Sequence, residues 1–160
     1  MQIYVLRHGV AEDRLPGRPD SERALTAEGK EKVLRVLRRA RAGGASPSLI
    51  LSSPYRRALE TAQLAAETLG YEGKIVRTRA LEPESSPHDA WEEIRTRPDE
   101  HAILLAGHEP LFSALVAFLL GNARMWVDMK KGAMVRIDCD SFGREPSGIL
   151  RWMLTPAVSE

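Results

Sequence analysis

The residues with the most chemistry in this chain are Arg7, His8, Arg57, Glu82 and His108, and each follows a short strand-like run. Tyr4-Val5-Leu6 runs into Arg7-His8-Gly9, and Leu49-Ile50-Leu51 runs into Ser52-Ser53 with Arg56 and Arg57 close behind. Segment 74–78 leads to Leu81-Glu82, and Ala102 to Ala106 leads to Gly107-His108. Two imidazoles and several guanidinium groups suit a dense dianion, and phosphate fits best. Neutral imidazole is a competent nucleophile toward phosphorus near neutral pH. Positioned cations stabilise the equatorial oxygens of a transferring phosphoryl group. A carboxylic acid nearby protonates the leaving oxygen, and its conjugate base then activates water; Glu82 is the candidate by position.

These residues meet only if the runs that precede them are neighbouring strands. Strands are expected at 2–6, 49–51, 74–78 and 102–106, the last the most hydrophobic and therefore central. Between them lie helical patterns. Thr26 is an N-cap candidate for a helix to about Ala42, which Gly43-Gly44 would stop. Ser53 as cap and Pro54 in the first turn open a helix to about Leu69, before Gly70. A short helix is expected over 89–96, and Pro110 opens one to about Leu120. Segments 132–138 and 148–154 read as a hairpin. Residues 10–24 and 83–88 are loops, and 155–160 a tail, so that the domain spans 1–154. Strands alternating with helices indicate a single-domain α/β fold, an open and mostly parallel sheet with helices on both faces and a C-terminal hairpin. In such sheets the ligand crevice lies beyond the carboxyl ends of the strands, where all the residues named above fall.

Composition narrows the partners. The 23 Lys and Arg against 22 Asp and Glu give no global electrostatic case for nucleic acid or membrane. Helix 26–42 carries Lys30, Lys32, Arg35, Arg38, Arg39 and Arg41, read as a solvated face. The single Cys139 excludes an internal disulfide and fits a reducing compartment; it is read as structural. Met1-Gln2-Ile3-Tyr4 enters the first strand without signal-peptide features, and the apolar run Leu111 to Leu120 is too short to span a bilayer. A cytoplasmic location is therefore expected. Trp91, Trp126 and Trp152 are expected to pack inside the domain. Neither a Gly-x-x-x-x-Gly-Lys loop nor a Gly-x-Gly-x-x-Gly turn is present, so no nucleotide cradle is suggested.

Taken together and in order, Leu6-Arg7-His8-Gly9, Leu25-Thr26-Ala27-Glu28-Gly29, Ser53-Pro54-Tyr55-Arg56-Arg57-Ala58-Leu59-Glu60-Thr61-Ala62, Leu81-Glu82 and Gly107-His108 resemble the histidine phosphatase, or phosphoglycerate-mutase-like, superfamily. Size and the lack of inserted lid helices look most like its small SixA-type phosphohistidine phosphatases. The resemblance implies that His8 is the phosphorylated nucleophile and that Arg7, Arg57 and His108 bind phosphoryl oxygens. Arg57 takes the family position because it directly precedes Ala58, which leaves Arg56 at the surface. It also implies that no metal or organic cofactor is used. Substrates would be phosphohistidine on a protein or a small phosphorylated metabolite.

Auxiliary candidates are Arg23, which could reach the phosphate; Ser53, as cap or phosphate donor; and His88, which could line the pocket mouth. Gly9 is expected to let the backbone pass close to phosphate. Three rival readings remain at this level. One is a metal-dependent hydrolase using His8, His108 and Glu82, although Arg7 and Arg57 would repel a divalent cation. The second is a non-catalytic phosphate-binding module. The third is a mutase, which needs a lid that no insertion here would build.

Overall fold

A computed structural model describes residues 1–159; Glu160, the last residue of the expected tail, lies outside them. Six strands, β1 (Gln2–Arg7), β2 (Leu49–Ser52), β3 (Val76–Arg77), β4 (Ala102–Gly107), β5 (Met134–Asp138) and β6 (Ile149–Leu154), form one sheet in the order β3-β2-β4-β1-β5-β6. The pairings among β1 to β4 are parallel, and β5 and β6 run antiparallel as the expected hairpin. Central β1 and β4 are covered on both faces, which is why their sequences are apolar without alternation. Ile3 and Val5 of β1 join one core with Trp91, Ile94, Phe112 and Leu115, while Tyr4 and Leu6 join another with Val33, Leu37, Ala62 and Ala65.

The helices are α1 (Ala27–Ala42), α2 (Arg56–Leu69), α3 (Pro87–Arg95) and α4 (Leu111–Leu119), with α1 and α2 on one face and α3 and α4 on the other. Thr26 caps α1 as expected, its hydroxyl accepting from Gly29 N at 2.9 Å. Where α1 crosses the end of β1, two backbones almost touch. A Cβ on Gly29 would stand 2.1 Å from Val10 O, and one on Gly9 would stand 2.8 Å from Gly29 O. Thr26 N also donates to Val10 O at 2.9 Å. The Leu25-to-Gly29 motif therefore docks the start of α1 onto the loop that follows His8. Gly9 is small for this packing and does not adopt a positive φ.

Several expectations need correction. Helix α2 begins at Arg56 with the extended Tyr55 as its N-cap; the Ser53 hydroxyl accepts from Tyr55 N at 3.3 Å, before the helix, and is also bonded to His108. Helix α3 starts two residues earlier than periodicity alone gave, since Ser86 and Asp89 close a capping box around Pro87. Pro110 is the N-cap of α4 and not its first turn. The expected tail is partly structured: Pro156–Val158 form a 3₁₀ turn beside α1, with Pro156 buried. Trp91 is fully buried and Trp152 half-buried against Tyr4, but Trp126 is 97% exposed. Among the described residues, no helix is long and apolar enough to cross a membrane.

Candidate active site

The parallel strands end in register, and that register assembles the site. Arg7 lies opposite Gly107 and Ser52 opposite Ala106. The next step of each chain is also tied across, His8 N to Gly107 O at 3.0 Å and Ser53 N to Ala106 O at 2.9 Å. His8, Ser53 and His108 thus leave the sheet side by side. The two imidazole rings stand 5.0 Å apart, edge to face.

His8 is buried, and its hydrogen bonds define its tautomer. Nδ1 lies 2.7 Å from Gly9 O, a carbonyl that can only accept, so Nδ1 carries the proton. Nε2 then keeps its lone pair and accepts from Arg57 Nε at 3.2 Å. Burial, offset in part by the Gly9 carbonyl and reinforced by Arg57, Arg7 and Lys131, pushes His8 down to about 3. The ring is neutral through the physiological range, with its nucleophilic nitrogen held beside a guanidinium group.

Arg57 sits in the first turn of α2, where unpaired N–H groups already favour an anion. Its remaining nitrogens donate to Asp20, Nη1 to the carbonyl at 2.8 Å and Nη2 to the carboxylate at 3.0 Å. Asp20 also accepts from Arg23 Nε at 2.8 Å and pairs with Arg14 at 3.2 Å. Burial would raise the Asp20 carboxyl, but Arg57 and Arg23 outweigh it and hold it below the usual range. Arg7 reaches the site from the end of β1 and is held from behind, its Nη1 donating to Met129 O at 2.5 Å.

His108 forms the opposite wall. Its Nε2 is hydrogen-bonded to the Ser53 hydroxyl at 2.7 Å, and its ring meets Tyr55 edge-on at 5.0 Å. Burial, with His8 and Arg57 adding to it, lowers His108 to about 2. Tyr55 in turn lies under the Arg57 guanidinium at 5.0 Å. Two neutral imidazoles therefore face one pocket with Arg7 and Arg57.

That pocket, about 390 Å³ in volume, is lined by Arg7, His8, Arg57 and His108 together, and also by Arg23. Glu82 is not among its walls. It follows the 3₁₀ turn Arg79–Leu81, and its carboxylate pairs with Arg79 at 3.3 Å, while Pro83 and Glu84 line the pocket instead. His88 is displaced too. With α3 starting at Pro87, its ring packs against Phe118 at 4.7 Å and does not reach the pocket mouth. Ser53 lies behind His108, and Arg56 pairs with Glu60 at the surface, at 3.0 Å. With Glu82 outside, the His8, His108 and Glu82 set of the metal reading is not assembled. No cluster of three His, Cys, Asp or Glu side chains suited to a metal occurs among the described residues.

Sequence reasoning missed Asp20, Tyr55, Glu109 and Lys131. Glu109 was open to discovery, since it directly follows His108; its carboxylate accepts from Ser113 N at 2.8 Å and from the Ser113 hydroxyl at 2.5 Å. Asp20 carried no signal, because its partners lie 37 residues away at Arg57 and just beyond it at Arg23.

Residues 3–82, half of the 160-residue chain, match the histidine phosphatase superfamily (branch 1), and the protein belongs to that family. An uncharacterised protein of Picosynechococcus sp. is 31% identical over 137 residues, which cover 84% of this chain and 83% of that one. The fold superposes on the protein histidine phosphatase SixA complexed with tungstate at a TM-score of 0.85, with 22% identity and 98% of each chain covered. It also superposes on a mycobacterial glucosyl-3-phosphoglycerate phosphatase in complex with inorganic phosphate, at a TM-score of 0.70 and 20% identity, covering 98% of this chain and 99% of that one.

Proposed function

We propose that this protein is a cofactor-independent phosphatase that works through a phosphohistidine on His8. The observation that carries the reading is the His8 ring, neutral, with Nδ1–H on Gly9 O and the Nε2 lone pair beside Arg57. In the first step Nε2 attacks phosphorus, the bond to the leaving group breaks, and the leaving nitrogen or oxygen takes up a proton from solvent. In the second step water attacks phosphorus, gives its proton to solvent and displaces Nε2, releasing inorganic phosphate and restoring the neutral ring. Arg7, Arg57 and His108 are assigned to the phosphoryl oxygens, whose charge spreads equatorially in transfer. Asp20 positions Arg57 and Arg23 and balances part of their charge.

The substrate class we propose is phosphohistidine on proteins, with small phosphomonoesters as the alternative. Tungstate and phosphate in two proteins of the same fold are consistent with an oxyanion pocket. Of the three carboxylates that line the pocket, Asp20 is held ionised by arginines and Glu109 is bound to Ser113, which leaves Glu84 as the one proton donor for an alkoxide, while Glu82 stands outside. So few donors suit the phosphoramidate better than the ester. An imidazole leaving group needs less proton donation than an alkoxide. The test offers phosphohistidine, as amino acid and on protein, beside sugar, nucleotide and aryl phosphates to wild type and His8→Ala. Phosphohistidine should turn over fastest, and His8→Ala should be inactive on everything. Phosphoester turnover higher by orders of magnitude overturns the substrate class; full activity in His8→Ala overturns the mechanism.

A further inference from the structure

Trp126 is a tryptophan left 97% exposed in a chain whose other large aromatic residues are mostly packed. It lies in the connection between α4 and β5, beside Met125, which is 37% exposed. The two line a mostly apolar groove of about 620 Å³, shared with Pro110, Ala114, Ala117 and Val127 and edged by Ser113 and Arg124. The groove adjoins the candidate active site, because Glu109 is a wall of both. The same connection is fastened to the site a few residues later. Met129 O holds Arg7 at 2.5 Å, and Gly132 N donates to the carbonyls of Arg7 and His8 at 3.2 and 3.1 Å. Trp126 is thus presented at a set place relative to His8.

We infer that this groove is the docking surface for the protein segment that carries the phosphorylated side chain, and that it receives that segment's apolar flank. The inference rests on the proposed phosphohistidine-protein substrate. A ligand confined to the pocket around His8 leaves Trp126 in water, so only an occupant broader than the pocket covers it. Exposed Trp at a groove beside a polar centre is the composition of an interface anchor. The pocket takes the phosphoryl charge, and the neighbouring groove takes apolar side chains from the same segment.

Two helical peptides, each phosphorylated on one histidine with phosphoramidate, provide the probe; one carries leucines three and four residues from that histidine, the other serines. Wild type should favour the leucine peptide in kcat/KM by about tenfold, the size of one good anchor contact. Trp126→Ala should erase that preference while free phosphohistidine and an aryl phosphate turn over as before, and sedimentation should show both proteins monomeric. Equal turnover of the two peptides by wild type, or a preference that survives Trp126→Ala and Met125→Ala, overturns the docking surface alone. A dimer that Trp126→Ala dissociates assigns the groove to a second copy and overturns it as well. Turnover of the aryl phosphate with none of the phosphohistidine probes overturns the substrate class, and the docking surface with it.

Discussion

Two buried neutral imidazoles make the acid sensitivity of the fold a direct measure of the site's electrostatics. His8 is held down to about 3 and His108 to about 2, in both cases chiefly by burial. In the unfolded chain each titrates near 6.5. Above that value neither state binds the proton and the rings are neutral in both. As pH falls below it, the unfolded chain takes up two protons that the folded protein refuses, so stability is lost. At pH 5 the gap is about 1.5 pH units at about 1.4 kcal/mol each, or about 2 kcal/mol per ring and about 4 kcal/mol for the pair. That figure depends on the unfolded value and not on how far below 5 the folded values lie. The perturbation is His8→Asn, which removes one of the two rings. Urea unfolding of wild type and variant at about pH 7.5 and about pH 5 supplies four stabilities, and the carboxylates common to both proteins cancel in the double difference. Wild type should lose about 2 kcal/mol more than His8→Asn over this interval. A double difference below about 0.5 kcal/mol would mean that His8 protonates inside the fold, and the neutral-nucleophile reading would fail.

Four further outcomes follow from the geometry. Glu82→Gln should keep kcat/KM for an aryl phosphate within about twofold, because the carboxylate faces Arg79 and not the pocket; a loss of about tenfold or more places it in the chemistry. Ser53→Ala strands the buried His108 Nε2, a cost of about 1–3 kcal/mol, and steady-state kinetics should show kcat/KM down about tenfold or more. Asp20→Asn removes the anion that competes for Arg57, so phosphate should inhibit the variant with a Ki roughly tenfold lower; an unchanged or higher Ki refutes the competition. Gly29→Ala drives a Cβ into Val10 O and should cost at least about 3 kcal/mol in urea unfolding, whereas Gly44→Ala, strained by its positive φ but facing open space, should cost about 1 kcal/mol.

How much of this was legible beforehand differs by element. Strand β1 was legible because a strand buried on both faces must be apolar without alternation, and Ile3 to Leu6 are consecutive. Thr26 declared the start of α1 through its own cap. The start of α2 was misplaced because Tyr55 takes the N-cap position: the Ser53 hydroxyl accepts from Tyr55 N outside the helix and is bonded across the sheet to His108, a partner no local rule contains. Membership of the family was carried by ordered motifs, and the match over residues 3–82 agrees with it.

By itself the sequence determined which side chains stand at the strand ends, because local pattern places strand termini and helix starts. Arg7, His8 and His108 were identified in that way, and Arg57 was separated from Arg56 by the family motif, in which it directly precedes Ala58. Tertiary structure alone decided what surrounds them. Glu82 turns away to Arg79 because a 3₁₀ turn precedes it, and Asp20 comes in at the start of another, Asp20–Glu22, to hold Arg57 and Arg23. Trp126, whose type suggested the core, stays in water although its neighbours in the same connection are fastened, Val127 and Met129 to the core and Met129 O to Arg7. Hydrophobicity states which residues gain by burial; only the path of the chain states which of them obtain it.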